Sequence, residues 1–371
     1  MPRILLHGTG AIGTIYAYQL MQAGCDVTVT CRSNYEAVIK QNGFHLDSVI
    51  YGEGLHLQPK VVRSPLEAVE NSSSSNEEGE GEGVYDYLLV ACKAIPEAQI
   101  SETIAPAVTR GRTTIVLLQN GIGIEEEYSK KFPENLLLSG VVYCPVTQTS
   151  PGYITMGDVE RLEIGEFSSS SSSSSASSVE NNNKNSTTTT TTTTTTEIHP
   201  STSKFLSLLK SGGGNPIHYH PSTSMQERRW FKLLLNAPWN PICALTLSRD
   251  LAFLAAEPCT SLAVIRGVLD EVIAISRALG YHSVTAEAAE QGLATIMSRE
   301  GIAGIEPSML VDVLWTRRME HEVILGNPVR VARKLGVEVP RMEMLYALVK
   351  ALDLSHQKRK EGRSLDMYDL A

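Results

Sequence analysis

The sequence predicts an α/β protein in which a parallel-sheet domain is followed by an all-helical domain. Its 371 residues are more than one ordinary hydrophobic core holds, so two domains are expected. In the N-terminal part, short apolar strands alternate with helical segments, and this alternation is typical of a parallel sheet. From residue 222 onward only helical periodicity remains. We therefore predict domains at 1–221 and 222–371.

The composition excludes several classes of protein. Hydrophobic residues make up 42 % and charged residues 20 % of the chain, as in globular proteins. A net charge of −9 argues against nucleic-acid binding, which needs a basic surface. Because no signal peptide and no apolar run of about 18 residues is present, we expect no membrane partner and a cytoplasmic location. The six cysteines and nine histidines do not cluster at ligand spacing, so we predict reduced thiols and no metal site.

The predicted sheet begins with the strand "RILLHG", a helix that ends near Gly24, and the strand "DVTVTC". A later stretch, "FLSLLKSGGGNPIHYH", predicts a helix, a glycine turn and a last strand. Two polar stretches, 71–83 and 168–196, cannot bury apolar surface, and we predict that they are disordered insertions in the first domain. Further strands are predicted at 85–92, 113–119 and 136–144.

The segment "GTGAIG" fits the pattern GxGxxG between a strand and a helix. In this pattern the first glycine makes a tight turn, the second lets the backbone approach a pyrophosphate, and the third packs the helix on the strand. The sequence therefore predicts a Rossmann-type dinucleotide-binding domain; the alternative is a glycine-rich turn without a ligand. The predicted cofactor contacts are Gly8, Thr9, Gly10, Ala11, Ile12 and Gly13.

The end of the second strand indicates which dinucleotide is bound. NAD sites place an acidic residue there to bind the ribose hydroxyls. Here the chain reads "TVTCRSN", with no acid and with Arg32. A guanidinium suits a 2′-phosphate, so we predict NADPH; the alternative is a solvated surface arginine.

Two further loops follow predicted strands at their carboxyl ends, where open α/β sheets bind ligands. Lys93 follows one strand, and Asn120 with Gly121 follows the next. Each of these loops also has a plain structural interpretation, as a loop lysine and as a turn. Three acids at 125–127 fall in a predicted first helical turn, where the helix dipole favours them, and we interpret them as structural.

The stretch "RRWFKLLLNAPWNPICALT" is apolar but carries Lys232, Asn236 and Asn240 at spacings of four residues. On a helix this spacing aligns them along one stripe. A lysine can polarise a carbonyl group and donate a proton, and amides can hold an acid group; the alternative is a snorkelling lysine with two solvated amides. Because Pro238 and Pro241 remove backbone donors, we predict a helix end near residue 238, with Asn240 on an irregular turn.

The remainder of the second domain is predicted to be helical. Ser224 and Glu227 form a candidate capping box for its first helix. The later helices are predicted at 259–280, 284–301, 307–336 and 341–353.

These motifs, taken in order, resemble the ketopantoate reductase (2-dehydropantoate 2-reductase) family over nearly the whole chain. "GTGAIG" is similar to the dinucleotide fingerprint of that family, and "CKA" and "LQNGIG" to its two cofactor-and-substrate loops. "WFKLLLNAPWNPICAL" is similar to its W-x-K-x3-N-x3-N-P signature. "PSMLVDVLWTRRMEHEV", followed by "LGNP" and "GVEVP", is similar to its C-terminal block.

The resemblance implies roles for individual residues and a reaction. It implies that Lys232 is the catalytic proton donor and that NADPH is the cofactor. It implies reduction of a 2-keto acid to a 2-hydroxy acid, foremost 2-dehydropantoate to pantoate in pantothenate biosynthesis, and it allows a homodimer. The implied substrate-binding residues are Asn120, Asn236, Asn240 and Ser308, and the implied cofactor-binding residues of the loops and the C-terminal block are Lys93, Asn120 and Glu320.

Two departures from the family pattern leave the substrate open. Asp250 stands where some members carry a pocket asparagine, and "IEPS" places an acid and a proline before Ser308. Alternatives are a relative acting on another keto acid and a β-hydroxyacid dehydrogenase, against which the "PSML" block argues. A non-catalytic NADPH-binding sensor is an alternative of another class, but a sensor need not keep Lys232, Asn236, Ser308 and Glu320 together.

Overall fold

The computed structural model describes residues 1–73, 84–168, 198–299, 304–359 and 362–369. Apart from their first residues, the two predicted insertions at 71–83 and 168–196 lie outside this description. The described residues form two compact units. The first comprises 1–91, 104–118 and 125–225, and the second comprises 92–103, 119–124 and 226–371.

The main sheet of the first unit contains eight of the described strands. Their bounds are β1 Arg3–His7, β2 Asp26–Thr30, β5 Lys60–Val62, β6 Tyr87–Val90, β7 Thr114–Leu117, β8 Leu137–Tyr143, β11 Arg161–Glu166 and β12 Ile217–His220. Their order is β12-β11-β8-β7-β6-β1-β2-β5. All neighbours pair in parallel except β11, which is antiparallel to β8. The α/β fold class predicted from the alternating pattern is confirmed.

A second sheet in the first unit was not predicted. It contains four of the described strands, in the order β4-β3-β10-β9. Strands β3 and β10 alternate buried and more exposed residues, but each is only four or five residues long. Strands β4 and β9 are mostly exposed and have no apolar alternation, so the sequence carries little signal for this sheet. Their bounds are β3 Phe44–Ser48, β4 Gly52–Leu57, β9 Val146–Ser150 and β10 Tyr153–Met156.

The core of the first unit lies around the central parallel strands. Ile4, Leu5 and Leu6 of β1 and Leu88 and Leu89 of β6 are fully buried. Strands covered on both faces read as continuous apolar runs rather than as alternating ones, and "ILL" and "YLLV" have this character. The α-helices up to residue 211 are α1 Ala11–Gln22, α2 Tyr35–Lys40, α3 Pro65–Ser73, α4 Ile100–Ile104, α5 Glu125–Lys131 and α6 Pro200–Ser211.

The second unit is helical. Its elements are α7 Ser222–Thr246 (of which the first four residues belong to the first unit), α8 Asp250–Ala256, α9 Pro258–Ala278, α10 Ala286–Met297, α11 Ser308–Leu314, a π-helical turn Glu322–Gly326, α12 Asn327–Leu335 and α13 Pro340–Lys358. The helix predicted over 307–336 is therefore interrupted, and Thr316, at a φ of 51°, lies in the interruption. A β-branched residue in the left-handed region cannot continue a right-handed helix.

The predicted end of the first helix of the second domain near residue 238 is wrong. Helix α7 runs through both prolines to Thr246. Each proline removes one backbone donor. Ala237, Trp239 and Ile242, which flank the two prolines, are buried, so packing on both sides holds the helix together. Asn240 consequently lies on the helix and not on a turn.

The predicted capping box is also wrong. Helix α7 already begins at Ser222, and the Ser224 hydroxyl donates to the Pro221 carbonyl. The Glu227 carboxylate accepts a hydrogen bond from the backbone N–H of Ser283 at 2.6 Å. The glutamate thus holds the α9–α10 connection instead of capping its own helix.

Three further observations concern classes of site. Across the described ranges, no helix is long and apolar enough to cross a membrane. The described residues contain no group of three or more histidine, cysteine, aspartate or glutamate side chains placed to hold a metal ion. All six cysteines are described, and none forms a disulfide.

Candidate active site

The glycine loop of the first unit has the geometry that its motif predicts. Gly8 adopts a φ of 97°, which favours glycine, and Gly10 is the N-cap of α1. A Cβ atom on Gly13 would lie 2.4 Å from the Gly8 carbonyl oxygen, so only glycine allows this packing of helix on loop. A Cβ atom on Gly10 would meet no heavy atom within 4 Å. The space in front of the α1 N-terminus is therefore open, as a bound pyrophosphate requires.

A positively charged residue, Arg32, follows the end of β2. Arg32 is exposed, directly after β2 and Cys31. Burial and the Arg32 charge lower the pKa of His7 to about 4, so His7 is neutral at pH 7. The Nδ1 atom of His7 lies 3.0 Å from the Thr30 hydroxyl, which also accepts from the Gly8 N–H. The guanidinium of Arg32 is exposed next to a neutral His7, a position compatible with the NADPH prediction.

The second unit brings together three residues that the sequence placed far apart. The Lys232 ammonium on α7 donates to the side-chain oxygen of Asn120 at 2.7 Å. Asn120 is also hydrogen-bonded to the Glu320 carboxylate. That carboxylate accepts from the Ala94 backbone N–H at 2.8 Å. Lysine, amide and carboxylate therefore form one chain of hydrogen bonds.

Glu320 is an acid in a nearly closed environment, with 7 % of the residue exposed. Burial raises its pKa, and the Ala94 N–H, Lys93, Asn120 and Lys232 oppose that rise. A buried carboxylate costs free energy unless hydrogen bonds and cations surround it, and these four groups do so here. Such environments are more frequent at functional sites than in ordinary cores.

Lys93, a predicted cofactor contact, forms an ion pair with Asp312 of α11. Its ammonium also donates to the Arg318 carbonyl at 3.2 Å. Burial raises the pKa of Asp312 to about 6 despite the neighbouring Lys93. Asp312 is a site residue that the sequence motifs did not indicate, although it stands four residues after Ser308. Helical spacing would have placed these two side chains on one face.

The two asparagines of α7 differ in their surroundings. The Asn240 side-chain oxygen accepts from the Ser308 hydroxyl and the Met309 N–H, both at 3.1 Å. Asn236 is 8 % exposed. Its side chain makes no hydrogen bond to any residue that the structure describes. Its amide atoms are not among the buried, unpaired polar atoms of the described residues, so they reach accessible space and can meet a ligand.

The loop that carries Asn120 is fixed by the π-helical turn. The Ile122 N–H donates to the Val323 carbonyl at 2.9 Å, and the Asn327 amide donates to the Ile122 carbonyl at 2.6 Å. Gly121 has a φ of 98°, and a Cβ atom there would lie 2.4 Å from Cβ of Val323. The "NG" pair in "LQNGIG" thus allows a close approach as well as a turn.

Asp250, one departure from the family pattern, is fully engaged within the second unit. Its carboxylate accepts from the N–H groups of Leu251 and Ile305, at 2.8 and 2.7 Å. It also pairs with Arg299 at 3.1 Å. The carboxylate therefore fixes the segment that precedes Ser308.

Comparison with known proteins agrees with these features. Residues 4–169 match the family described as "Ketopantoate reductase PanE/ApbA", and residues 224–353 match "Ketopantoate reductase PanE/ApbA C terminal". An uncharacterized protein of Saccharomyces cerevisiae is 28 % identical over 389 residues, which span 100 % of this chain and 98 % of that protein. The 2-dehydropantoate 2-reductase of Nostoc is 24 % identical, covering 93 % of each chain.

A solved structure agrees as well. The crystal structure of 2-dehydropantoate 2-reductase from Methylococcus capsulatus is 29 % identical, with a TM-score of 0.72, over 97 % of this chain and 100 % of that one. A parallel sheet with a glycine fingerprint, followed along the chain by a helical unit in which a half-buried lysine and amide are linked to a buried carboxylate, is typical of one class of dinucleotide-dependent oxidoreductases. Within that class, the chain belongs to the ketopantoate reductase family. It is accordingly an oxidoreductase of keto acids that works with a nicotinamide dinucleotide.

Proposed function

We propose that this protein catalyses the NADPH-dependent reduction of a 2-keto acid to the 2-hydroxy acid. The proposed substrate is 2-dehydropantoate and the product pantoate, a step of pantothenate biosynthesis. The observation that carries the proposal is the 2.7 Å hydrogen bond from the Lys232 ammonium to Asn120, which is itself bonded to the buried Glu320. The relatives whose names state a 2-dehydropantoate 2-reductase activity support the choice of substrate.

Lys232 is the proposed proton donor. Reduction of a ketone places negative charge on the carbonyl oxygen, and an ammonium group stabilises that charge and then protonates the alkoxide. Asn120 accepts one ammonium N–H and so helps to orient the ammonium group. Glu320 lies behind Asn120, and the Lys232 charge is one of the groups that oppose the burial-driven rise in the pKa of Glu320.

Asn236, Asn240 and Ser308 are the proposed groups that bind the acid end of the substrate. The Asn236 amide has both its oxygen and its NH₂ group available for a ligand, with respect to the residues that the structure describes. Asn240 offers its NH₂ group, because its oxygen already accepts two hydrogen bonds. The NH₂ groups of Asn236 and Asn240 can donate to a carboxylate, so these amides suit an acid. The Ser308 hydroxyl now donates to Asn240, and it would turn from that oxygen to donate to the substrate.

The glycine loop and Arg32 are the proposed dinucleotide-binding groups of the first unit. The open space at Gly10 suits a pyrophosphate at the N-terminus of α1, and the exposed guanidinium of Arg32 suits a 2′-phosphate. When bound, the dinucleotide supplies the hydride for the keto carbon. Lys93 and Glu320 also remain proposed cofactor contacts.

The experiment that tests this function is a spectrophotometric assay of NADPH oxidation with a panel of 2-keto acids. The panel includes 2-dehydropantoate, pyruvate, 2-oxoisovalerate and phenylglyoxylate. We expect the highest kcat/KM with 2-dehydropantoate and a lower value with NADH. Preference for a different 2-keto acid would support the proposed reaction but contradict 2-dehydropantoate as the substrate. NADPH binding without turnover of any keto acid would contradict the proposal and favour the sensor.

A further inference from the structure

A buried arginine holds the two peptide groups on either side of Asn120. Arg229 lies on α7, three residues before Lys232, and is 3 % exposed. Its Nη1 atom donates to the carbonyl of Gln119 at 3.0 Å and to the carbonyl of Gly121 at 3.2 Å. The residue between those two carbonyls is the one that orients Lys232.

The location of these bonds has a geometric consequence. Residues three apart on a helix lie on the same face, and a helix is stiff over one turn. Arg229 and Lys232 therefore have a fixed separation, and each bonds to the same short loop. The guanidinium sets the backbone of the loop, and the ammonium bonds to the side chain that the loop presents.

Two other hydrogen bonds hold the loop of Asn120, but neither links its backbone to α7. The Ile122 N–H bonds to Val323, and the Ile122 carbonyl accepts from Asn327. Both bonds are made by Ile122, which follows Asn120, and they link the loop to the π-helical turn and to the start of α12. Without Arg229 the loop stays attached to the π-helical turn, but the two bonds from α7 to the carbonyls on either side of Asn120 are lost.

We propose that Arg229 is a positioning residue of the reaction. It aligns Asn120 with Lys232, and it does so through backbone carbonyls and without contact to substrate. The inference rests on the proposed function, in which Asn120 directs the ammonium of Lys232 at the keto group.

The kinetic test is a double-mutant cycle of Arg229→Met and Asn120→Ala. Arg229→Met should lower kcat about 10- to 100-fold, because a displacement of about 1 Å at a reacting group costs that much, with a smaller change in KM. If Arg229 acts through Asn120, adding Arg229→Met to Asn120→Ala should cost less than threefold more. Arg229→Lys should recover only part of kcat, since the lysine nitrogen lies one bond nearer the helix than Nη1 and reaches the two carbonyls less well.

The matched control is Arg228→Met, which removes a neighbouring arginine of the same helix. Arg228 donates to the Ser283 hydroxyl instead of to the loop. We expect this variant to keep kcat within twofold. Equal losses in both arginine variants, or independent losses from Arg229→Met and Asn120→Ala, would overturn the proposal.

A second measurement does not depend on turnover. Hydrogen–deuterium exchange of the peptide that contains 119–124 should be faster in Arg229→Met than in the unmutated protein, and unchanged in Arg228→Met. Unchanged exchange in Arg229→Met would overturn the proposal even if kcat falls. If no keto acid is reduced by the unmutated protein, the proposed function fails, while the exchange result still decides whether Arg229 holds the loop of Asn120.

Discussion

The side-chain oxygen of Asn240 accepts a hydrogen bond from the hydroxyl of Ser308 at 3.1 Å, which joins α7 to the first residue of α11. The same oxygen accepts from the Met309 N–H. Asn240 therefore contributes to the folded structure, whereas Asn236 makes no side-chain hydrogen bond within the described ranges. Asn236 and Asn240 are equivalent in the sequence pattern, but they differ in their hydrogen bonds.

This difference predicts that substitution of Asn240 lowers both stability and substrate affinity, whereas substitution of Asn236 lowers mainly substrate affinity. Asn240→Ala should lower the free energy of unfolding by about 1 kcal/mol and raise KM for the keto acid, because two hydrogen bonds lose their acceptor. Asn236→Ala should raise KM with little loss of stability, since no side-chain hydrogen bond within the described residues is removed. Urea unfolding and steady-state kinetics of both variants check this. A destabilised Asn236→Ala with unchanged KM would contradict the assignment.

Lys232→Ala should separate chemistry from cofactor binding. General acid catalysis is worth about 10²- to 10⁴-fold, so we expect kcat to fall by at least that factor. The dissociation constant of NADPH, measured by fluorescence, should change less than threefold. Lys232→Arg is the control, because it keeps a cation that does not release its proton, and its kcat should stay low. Near-normal kcat in folded Lys232→Ala would make the lysine a structural residue.

Arg32→Ala tests the choice between the two dinucleotides. A guanidinium binds a 2′-phosphate as a fork, and NADH has no such group. The variant should bind NADPH at least tenfold more weakly and bind NADH almost as before, as measured by fluorescence titration. Lys40→Ala removes another exposed cation of the first unit and should change neither affinity. Equal affinity of the unmutated protein for NADPH and NADH would refute the role of Arg32.

Two glycines of the fingerprint should respond in different ways. Gly13→Ala places a methyl group 2.4 Å from the Gly8 carbonyl oxygen, so we expect a loss of stability of about 2 kcal/mol or more. Gly10→Ala places its methyl group in open space and should leave the melting temperature nearly unchanged. It should nevertheless weaken dinucleotide binding at least tenfold, because the methyl group enters the space proposed for the pyrophosphate. Normal binding by Gly10→Ala would move the pyrophosphate elsewhere.

Asp312 should make stability depend on pH in the acidic range. Its pKa is raised from 3.8 to about 6 by burial, so the folded protein holds this proton more tightly than the unfolded chain does. The resulting stabilisation is complete below about pH 4 and is lost as the pH rises through about 6. The difference in unfolding free energy between the unmutated protein and Asp312→Asn should therefore fall from pH 4 to pH 6. A difference that rises over this range would show the opposite shift.

The sequence predicted the elements whose signals are local. The strands around the glycine loop and the long helices of the second unit follow from apolar periodicity, and the structure has them. The helix end at Pro238 was mispredicted because proline weakens a helix locally, whereas the packing of Trp239 and Ile242 is tertiary. Local propensity could not reveal that packing.

The candidate active site was likewise predictable only where its residues are close in the sequence. The stripe of Lys232, Asn236 and Asn240 was visible because its members share one helix. The ion pair of Lys93 with Asp312 joins residues 219 positions apart. The hydrogen bond of Arg229 to the loop of Asn120 joins residues 110 positions apart. A single sequence contains no signal for contacts at such separations.

The loops of Lys93 and Asn120 belong to the helical unit, although each directly follows a strand of the sheet. The compact unit is thus encoded in three separate stretches of the chain: 92–103, 119–124 and 226–371. Anyone who recombines relatives of this protein should therefore exchange all three stretches together. A crossover at residue 225 alone would pair the lysine of one parent with the asparagine loop of the other.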